Sequence, residues 1–161
     1  MSITGVQSEE YRMDDENRPK IEIKKLQGIC EAEICARMMT RSEPWATLCQ
    51  SYDTSLEIVT DPSREVYLAF IEGEVTGFAI LHLQGLFNGY IQAVCVGPRW
   101  RNKGIGSRLM VFAEERIFSE TSNAFICVSS LSENALRLYE RLGYEVIGQW
   151  KGAEILLRKS R

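Results

Sequence analysis

Large apolar residues change their spacing several times along this chain, and each change marks an element. Residues 1–18 carry Glu9, Glu10, Asp14, Asp15 and Glu16 with few large apolar groups, which reads as a mobile or irregular extension. Ile21, Ile23 and Leu26 make a short, partly alternating first strand. From Gly28 to Arg41 the period turns helical: Cys30, Ile34 and Met38 fall on one face, and Cys35 and Met39 widen it. Pro44 breaks that pattern and suits the first turn of a second, short helix running through Leu48 to about Tyr52.

Beyond Asp61-Pro62 the signal becomes that of strands. Val66–Ile71 is β-branched and aromatic, Glu72-Gly73-Glu74 is a tight turn, and Val75–Leu83 returns. A loop over Gly85–Gly89 leads to a third strand, Tyr90–Val96. Ile105, Leu109, Phe112 and Ile117 then repeat at helical spacing. Phe125–Val128 reads as a strand. Glu133–Leu142 reads as a helix with Ala135, Leu138 and Leu142 on one side, stopped by Gly143 just past its end. Tyr144–Trp150 and Ile155–Arg158 close the chain as strands, with a hairpin around Lys151-Gly152. Without repeats or a low-complexity linker, residues 19–161 predict one mixed α/β (α+β) domain.

Composition narrows this picture. A chain of 161 residues with 45% hydrophobic content can bury one real core. Its net charge of −3 lacks the electrostatic footprint of a general nucleic-acid binder. The five cysteines (30, 35, 49, 95 and 127) form no C-x-x-C pair, and His82 is the one histidine, so no metal site is expected. Cysteines 30, 35, 95 and 127 lie beside apolar residues, where free thiols act as small buried hydrophobes, and this predicts a reducing compartment. No run has transmembrane length and the N-terminus lacks the apolar core of a signal peptide. The expectation is a cytoplasmic protein with neither membrane nor nucleic acid as partner.

The chemistry concentrates between Val94 and Met110. A strand ends, a basic turn follows, and Gly104 and Gly106 open an apolar-periodic helix. A helix N-terminus with unpaired amides and a partial positive charge can hold an anion. The two glycines remove Cβ atoms from that backbone, and Arg99, Arg101, Lys103 and Arg108 add cationic side chains. The spacing of a P-loop is absent, and Leu109 stands where a dinucleotide fingerprint needs its third glycine. The pattern R-x-x-G-x-G after V-x-P does fit, as Arg101-Asn102-Lys103-Gly104-Ile105-Gly106 behind Val96-Gly97-Pro98.

With these residues the chain resembles the GNAT superfamily of N-acetyltransferases. A second segment, Asn134 through Tyr139 to Gly143-Tyr144, is similar to that family's downstream helix, and the order of elements matches from about residue 21 to 159. The resemblance implies a mixed, mostly antiparallel central sheet of about six to seven strands flanked by about four helices. It further implies acetyl-CoA as co-substrate and transfer of the acetyl group to a primary amine by direct attack on the thioester. On this reading Val94, Cys95 and Val96 carry the pantetheine arm, and the backbone of Arg101, Asn102, Lys103, Gly104, Ile105, Gly106 and Ser107 cradles the pyrophosphate. The Val94 amide donates to the thioester carbonyl. Asn134 binds the pantetheine or phosphate arm, unless it or Ser130 or Ser132 merely caps a helix. Tyr139 protonates the departing thiolate as general acid. Homodimers are common in the superfamily.

The base is not legible. Many relatives carry Glu or His on the strand before the basic turn, where this chain has Tyr90 and Gln92. Others carry Glu on the next strand, where Cys127 falls and is expected to be buried. His82, Glu43 and a water relay remain open, and Cys95 reads as packing rather than as a nucleophile. The missing base residues leave a second reading, a GNAT-fold module that binds acyl-CoA without turnover. The acceptor would be shaped by residues 31–52 and by the loop at Gly85–Gly89, in which Trp45 and Tyr52 read as core packing.

Overall fold

The β-branched and aromatic runs of this chain form strands, and its small-residue and leucine-rich periods form helices. The computed structural model describes residues 19–86, 88–130, 132–150 and 154–161. In chain order the elements are β1 (Glu22–Lys25), α1 (Ile29–Thr40), α2 (Tyr52–Thr60), β2 (Glu65–Ile71), β3 (Glu74–His82), β4 (Tyr90–Val96), α3 (Ile105–Phe118), β5 (Asn123–Ser129), α4 (Glu133–Arg141), β6 (Glu145–Trp150) and β7 (Glu154–Ser160). The strands make one sheet ordered β1-β2-β3-β4-β5-β7-β6. Every neighbouring pair is antiparallel except β4 and β5. This is the mixed α/β architecture expected of the pattern, with seven strands and, among the described residues, four α-helices.

Two helical layers cover the sheet. On one face Ala32, Cys35 and Met39 of α1 and Val59 of α2 pack on Val66, Leu68, Phe78, Ile80, Ala93 and Cys95. On the other, Met110, Ala113 and Ile117 of α3 meet Leu81, Ile91, Ala124, Ile126 and Leu157, with Ala135, Leu136 and Tyr139 of α4 alongside. Ile105 and Leu109 extend that second layer over Ala69 and Ala79. Core chains of this kind interdigitate at near-crystalline density, so the helices fix the strands they touch.

Three sequence readings change. The buried face of α1 is Ala32, Cys35, Ala36 and Met39, whereas Ile34 is 40% exposed and Cys30 is exposed. The small side chains win because they let α1 lie close to the sheet; period alone did not separate two adjacent stripes. The second helix starts at Tyr52 rather than ending there, because Ser51 supplies its cap, its Oγ accepting from Thr54 N at 3.1 Å. Pro44 instead sits in turns between Arg41 and Cys49. Cys49 is exposed and Cys127 half-buried, and all five cysteines are free. The N-terminal extension and the tip of the last hairpin lie outside the described residues.

An ion pair ties β2 to α3. Arg116 reaches Glu65 with Nε and Nη2, both at 2.9 Å, and Tyr67 Oη donates to the same carboxylate at 2.6 Å. Burial by itself raises the Glu65 carboxyl, but the hydrogen bonds from Arg116 and Tyr67 outweigh it and hold the carboxyl below the usual range. A depressed carboxylate stabilises the fold above its unfolded pKa and loses that contribution as pH falls through the folded one. Glu65→Gln should therefore cost about 1–3 kcal/mol at neutral pH. The difference from the native chain should shrink toward pH 3, as urea unfolding at both pH values would reveal; a constant difference would refute the assignment.

Candidate functional site

The site begins where two parallel strands part. β4 and β5 pair only through Tyr90–Phe125 and Ile91–Ile126. Beyond those pairs β4 continues to Val96 and β5 to Ser129, leaving a wedge between them. The register of β3 on β4 also shifts at this point, from Ile80–Ala93 to Leu81–Ile91, so Gln92 is the extra residue of a β-bulge. The bulge resets the alternation: Ile91 faces α3, while Ala93 and Cys95 face α1.

The wedge is lined by backbone. Antiparallel pairs alternate between hydrogen-bonded and non-bonded residues. Gly97 N donates to Thr76 O at 2.9 Å, so the bonded partners of β3 are Gly97, Cys95 and Ala93. The peptide groups of Val94 and Val96 consequently point away from β3, toward the wedge. Arg101 confirms the direction, its Nε donating to Val96 O at 3.2 Å. Val94 thus presents its N–H to the wedge.

Below Val96 the chain turns through a short 3-10 segment, Pro98–Trp100, into α3. Asn102 and Gly104 adopt positive φ, 59° and 79°, and Gly104 is the N-cap. The intrahelical bonds start with Arg108 N to Gly104 O at 3.0 Å, so the amides of Ile105, Gly106 and Ser107 stand outside the helix ladder. A Cβ on Gly106 would meet only Val96 Cγ2, at 3.6 Å. The basic side chains do not all converge. Arg99 pairs with Glu74, and both Arg99 and Lys103 lie over the Trp100 ring at 5.3 and 4.8 Å. Arg108 is exposed on the first turn of α3. The anion-holding capacity here rests on backbone amides more than on the cluster of cations read from the sequence.

On the far side of β5, α4 carries the second motif. Gly143 N bonds Glu140 O and Tyr144 N bonds Tyr139 O, both at 3.0 Å, with Gly143 at φ 90°. This is a Schellman end, whose usual apolar contact is here the two tyrosine rings, 5.9 Å apart and edge-to-face. The spacing from Tyr139 to Gly143-Tyr144 is thereby a packing device that fixes the Tyr139 ring. Burial pushes the Tyr139 phenol above its ordinary range, so it holds its proton at neutral pH. Asn134 is exposed in the first turn of α4, and the N-cap is Ser132, which makes no side-chain capping bond.

The opposite face of the sheet gathers the remaining polar candidates. His82 Nε2 lies 2.7 Å from Gln92 Oε1 and 3.2 Å from Arg64 Nε, and its ring is 5.8 Å from that of Tyr90. Tyr90 in turn interacts with Cys127 across the start of the wedge. Burial raises both the Tyr90 phenol and the Cys127 thiol, which makes neither a base. Cys95 is buried against α1, its Sγ donating to Ser42 Oγ at 3.3 Å, with burial again raising the thiol. It lies on the face away from α3, as packing. Glu43 is exposed and accepts from Thr47 N at 3.3 Å within its own turn. Arg64 and the bulge at Gln92 escaped the sequence reading. No local pattern marks a bulge, and an arginine after Asp61-Pro62 looks like any solvated loop cation.

Among the described residues no group of three or more His, Cys, Asp and Glu could hold a metal ion, and no helix is long and apolar enough to cross a membrane. The family model described as "Acetyltransferase (GNAT) family" matches residues 28–144. Aminoalkylphosphonate N-acetyltransferase of Salmonella typhimurium is 37% identical over 95 residues, which are 53% of this chain and 59% of that protein. The match thus spans about three-fifths of that relative's length. Among solved structures, PaiA N-acetyltransferase from Thermoplasma acidophilum in complex with coenzyme A has a TM-score of 0.72 at 18% identity, covering 88% of this chain and 99% of its own. Ribosomal-protein-S18-alanine N-acetyltransferase from Escherichia coli gives 0.70 at 16% identity, covering 88% and 94%. At those identities the likeness concerns the fold.

Proposed function

The chain belongs to the GNAT acetyltransferase family, and from that premise we propose that it moves the acetyl group of acetyl-CoA to a primary amine of a small molecule or peptide. One observation carries the reading: the parting of β4 and β5 exposes the Val94 and Val96 peptide groups directly above the free amides that open α3. That geometry fits a ligand with an extended, amide-bearing arm and a pyrophosphate. Neither a dinucleotide loop nor a P-loop supplies the strand half of it. The names of the relatives support the amine class, since the Salmonella protein acts on an aminoalkylphosphonate and the Escherichia coli one on an alanine of ribosomal protein S18.

Bound acetyl-CoA would supply an activated thioester carbon, and the rest falls to the protein. Val94 N–H stands ready to meet negative charge developing on the thioester oxygen; a donor so placed is worth roughly 3 kcal/mol. Val94, Cys95 and Val96 hold the arm along the strand edge. The turn and helix start, from Arg101 through Asn102, Lys103, Gly104, Ile105 and Gly106 to Ser107, hold the phosphates through N–H groups that need no side-chain rearrangement. Asn134 lies on the helix that also presents Tyr139, so the two flank the arm from the β5 side. Tyr139 gives its proton to the sulfur as the amine attacks the carbon directly.

Release of free thiol from acetyl-CoA across a panel of amines tests this reading. At least one primary amine should accelerate release well above hydrolysis, and acetyl-CoA, but neither NAD nor ATP, should raise the melting temperature by mass action. Tight acetyl-CoA binding with no turnover on any amine would favour a non-catalytic acyl-CoA module instead.

A further inference from the structure

His82 has a partner prepared for each of its charge states. The Arg64 guanidinium can only donate, and its Nε–H points at His82 Nε2 over 3.2 Å. A neutral ring therefore takes that bond with its Nε2 lone pair and keeps its proton on Nδ1. Once Nε2 gains a proton, Gln92 Oε1 at 2.7 Å is already placed to accept it. Gln92 answers the protonated state; in the neutral state Arg64 occupies the single Nε2 lone pair, and a half-turn of the Gln92 amide turns its oxygen away from it. Arg64 can give up the ring without being orphaned, since its Nη1 also donates to Ile58 O at 3.0 Å and lies 3.5 Å from Asp61 Oδ2. A histidine with a purely structural task needs one such partner, not two of opposite sense.

The location suits proton removal from an acceptor. Gln92 is the bulged residue at the point where β4 leaves β5, two positions before Val94. His82 pairs with Tyr90 across β3 and β4, and the two rings lie 5.8 Å apart. The charged and titratable groups around the ring are Arg64 and Asp61 from the α2–β2 connection and Tyr90 from β4, with Cys127 of β5 and Glu154 of β7 behind Tyr90. Of these groups Asp61 is bonded to Ser63, burial raises Tyr90 and Cys127, and the Glu154 carboxylate acts on Tyr90 and Cys127 rather than on the ring.

We propose that His82 is the general base of the reaction, taking a proton on Nε2 from the acceptor nitrogen, directly or through one water, with Gln92 and Arg64 as positioning residues. The inference rests on the acetyltransferase reading above. The acceptor nitrogen gives up two protons in all. One passes to the Tyr139 phenolate, replacing the proton that Tyr139 gives to the coenzyme A sulfur, and the other passes to His82 and then to solvent. The N–H bond breaks as Nε2–H forms, and the freed lone pair makes the new C–N bond while the C–S bond breaks.

Two measurements decide it. The chain has a single histidine, so its imidazole nitrogen resonances need no assignment. At high pH they should report the Nδ1–H tautomer; an Nε2–H tautomer overturns the proposal. With the best amine of the panel, His82→Gln should lower kcat/KM by about 100-fold or more. It should also abolish the acidic limb of the pH–rate profile that a general base imposes, while acetyl-CoA affinity stays unchanged. Adding Gln92→Glu to that variant should recover part of the rate, because a carboxylate then stands one contact away from the lost ring. A His82→Gln enzyme with an intact acidic limb and near-native kcat/KM overturns the assignment alone. A native chain that turns over no amine overturns both it and the acetyltransferase reading.

Discussion

Removing the Tyr139 hydroxyl should lower kcat by about 100-fold or more while leaving the fold and acetyl-CoA affinity close to native. The expectation follows from what the ring and the hydroxyl do separately. The ring is the apolar half of the Schellman end, edge-to-face with Tyr144 at 5.9 Å, and phenylalanine keeps that contact. The hydroxyl is the part whose pKa burial has raised, so at neutral pH it is a proton donor and not a phenolate. Steady-state kinetics of Tyr139→Phe, beside a binding titration and a melting curve, check the three quantities together. An undiminished kcat takes Tyr139 out of the chemistry. A parallel loss of affinity and stability would instead make it a packing residue.

The largest effect on the fold is expected from Gly89→Ala. Gly89 has φ 89°, and a Cβ built on it would lie 2.3 Å from Asn123 O and 2.9 Å from Thr121 Cγ2. The first is backbone and cannot rotate away. Gly89 also hands its N–H to His82 O at 2.8 Å and takes Phe125 N on its carbonyl at 2.9 Å. It thus clamps β4 between β3 and β5 at the closed end of the wedge. A left-handed conformation costs an alanine about 1–2 kcal/mol, and the forced displacement of Asn123 adds roughly 1–3 kcal/mol. Urea unfolding should register a loss of about 3 kcal/mol or more. An alanine variant of native stability would mean that β4 and β5 can shift apart freely at this end. The wedge would then be no fixed feature.

How much of this could be read from the chain differs from residue to residue. The strands announced themselves through Val66–Ile71 and Tyr90–Val96, whose alternation survives in the burial of β4. Gly104 and Gly143 were legible because a positive φ is a local demand that glycine meets best, and both have it. The face of α1 was not legible. Ile34 and Ala36 both lie at helical spacing, and which stripe is buried depends on how closely the sheet approaches. Nor was the start of α2, where a serine cap outweighed the proline seven residues earlier as a boundary signal.

The sequence by itself determined most of the elements, the mixed α/β architecture, the glycine-opened turn before α3 and the helix that carries Tyr139. All of these rest on contacts between residues a few positions apart, where turn preference and capping decide the outcome. Only the tertiary structure decided that Val94 and Val96 present their peptide groups to an open wedge, and that Arg64, His82 and Gln92 meet. Arg64 and Gln92 are 28 positions apart. Their meeting depends on the pairing of three strands and on one bulged residue, which are set by packing of the two helical layers and not by any local preference of the chain.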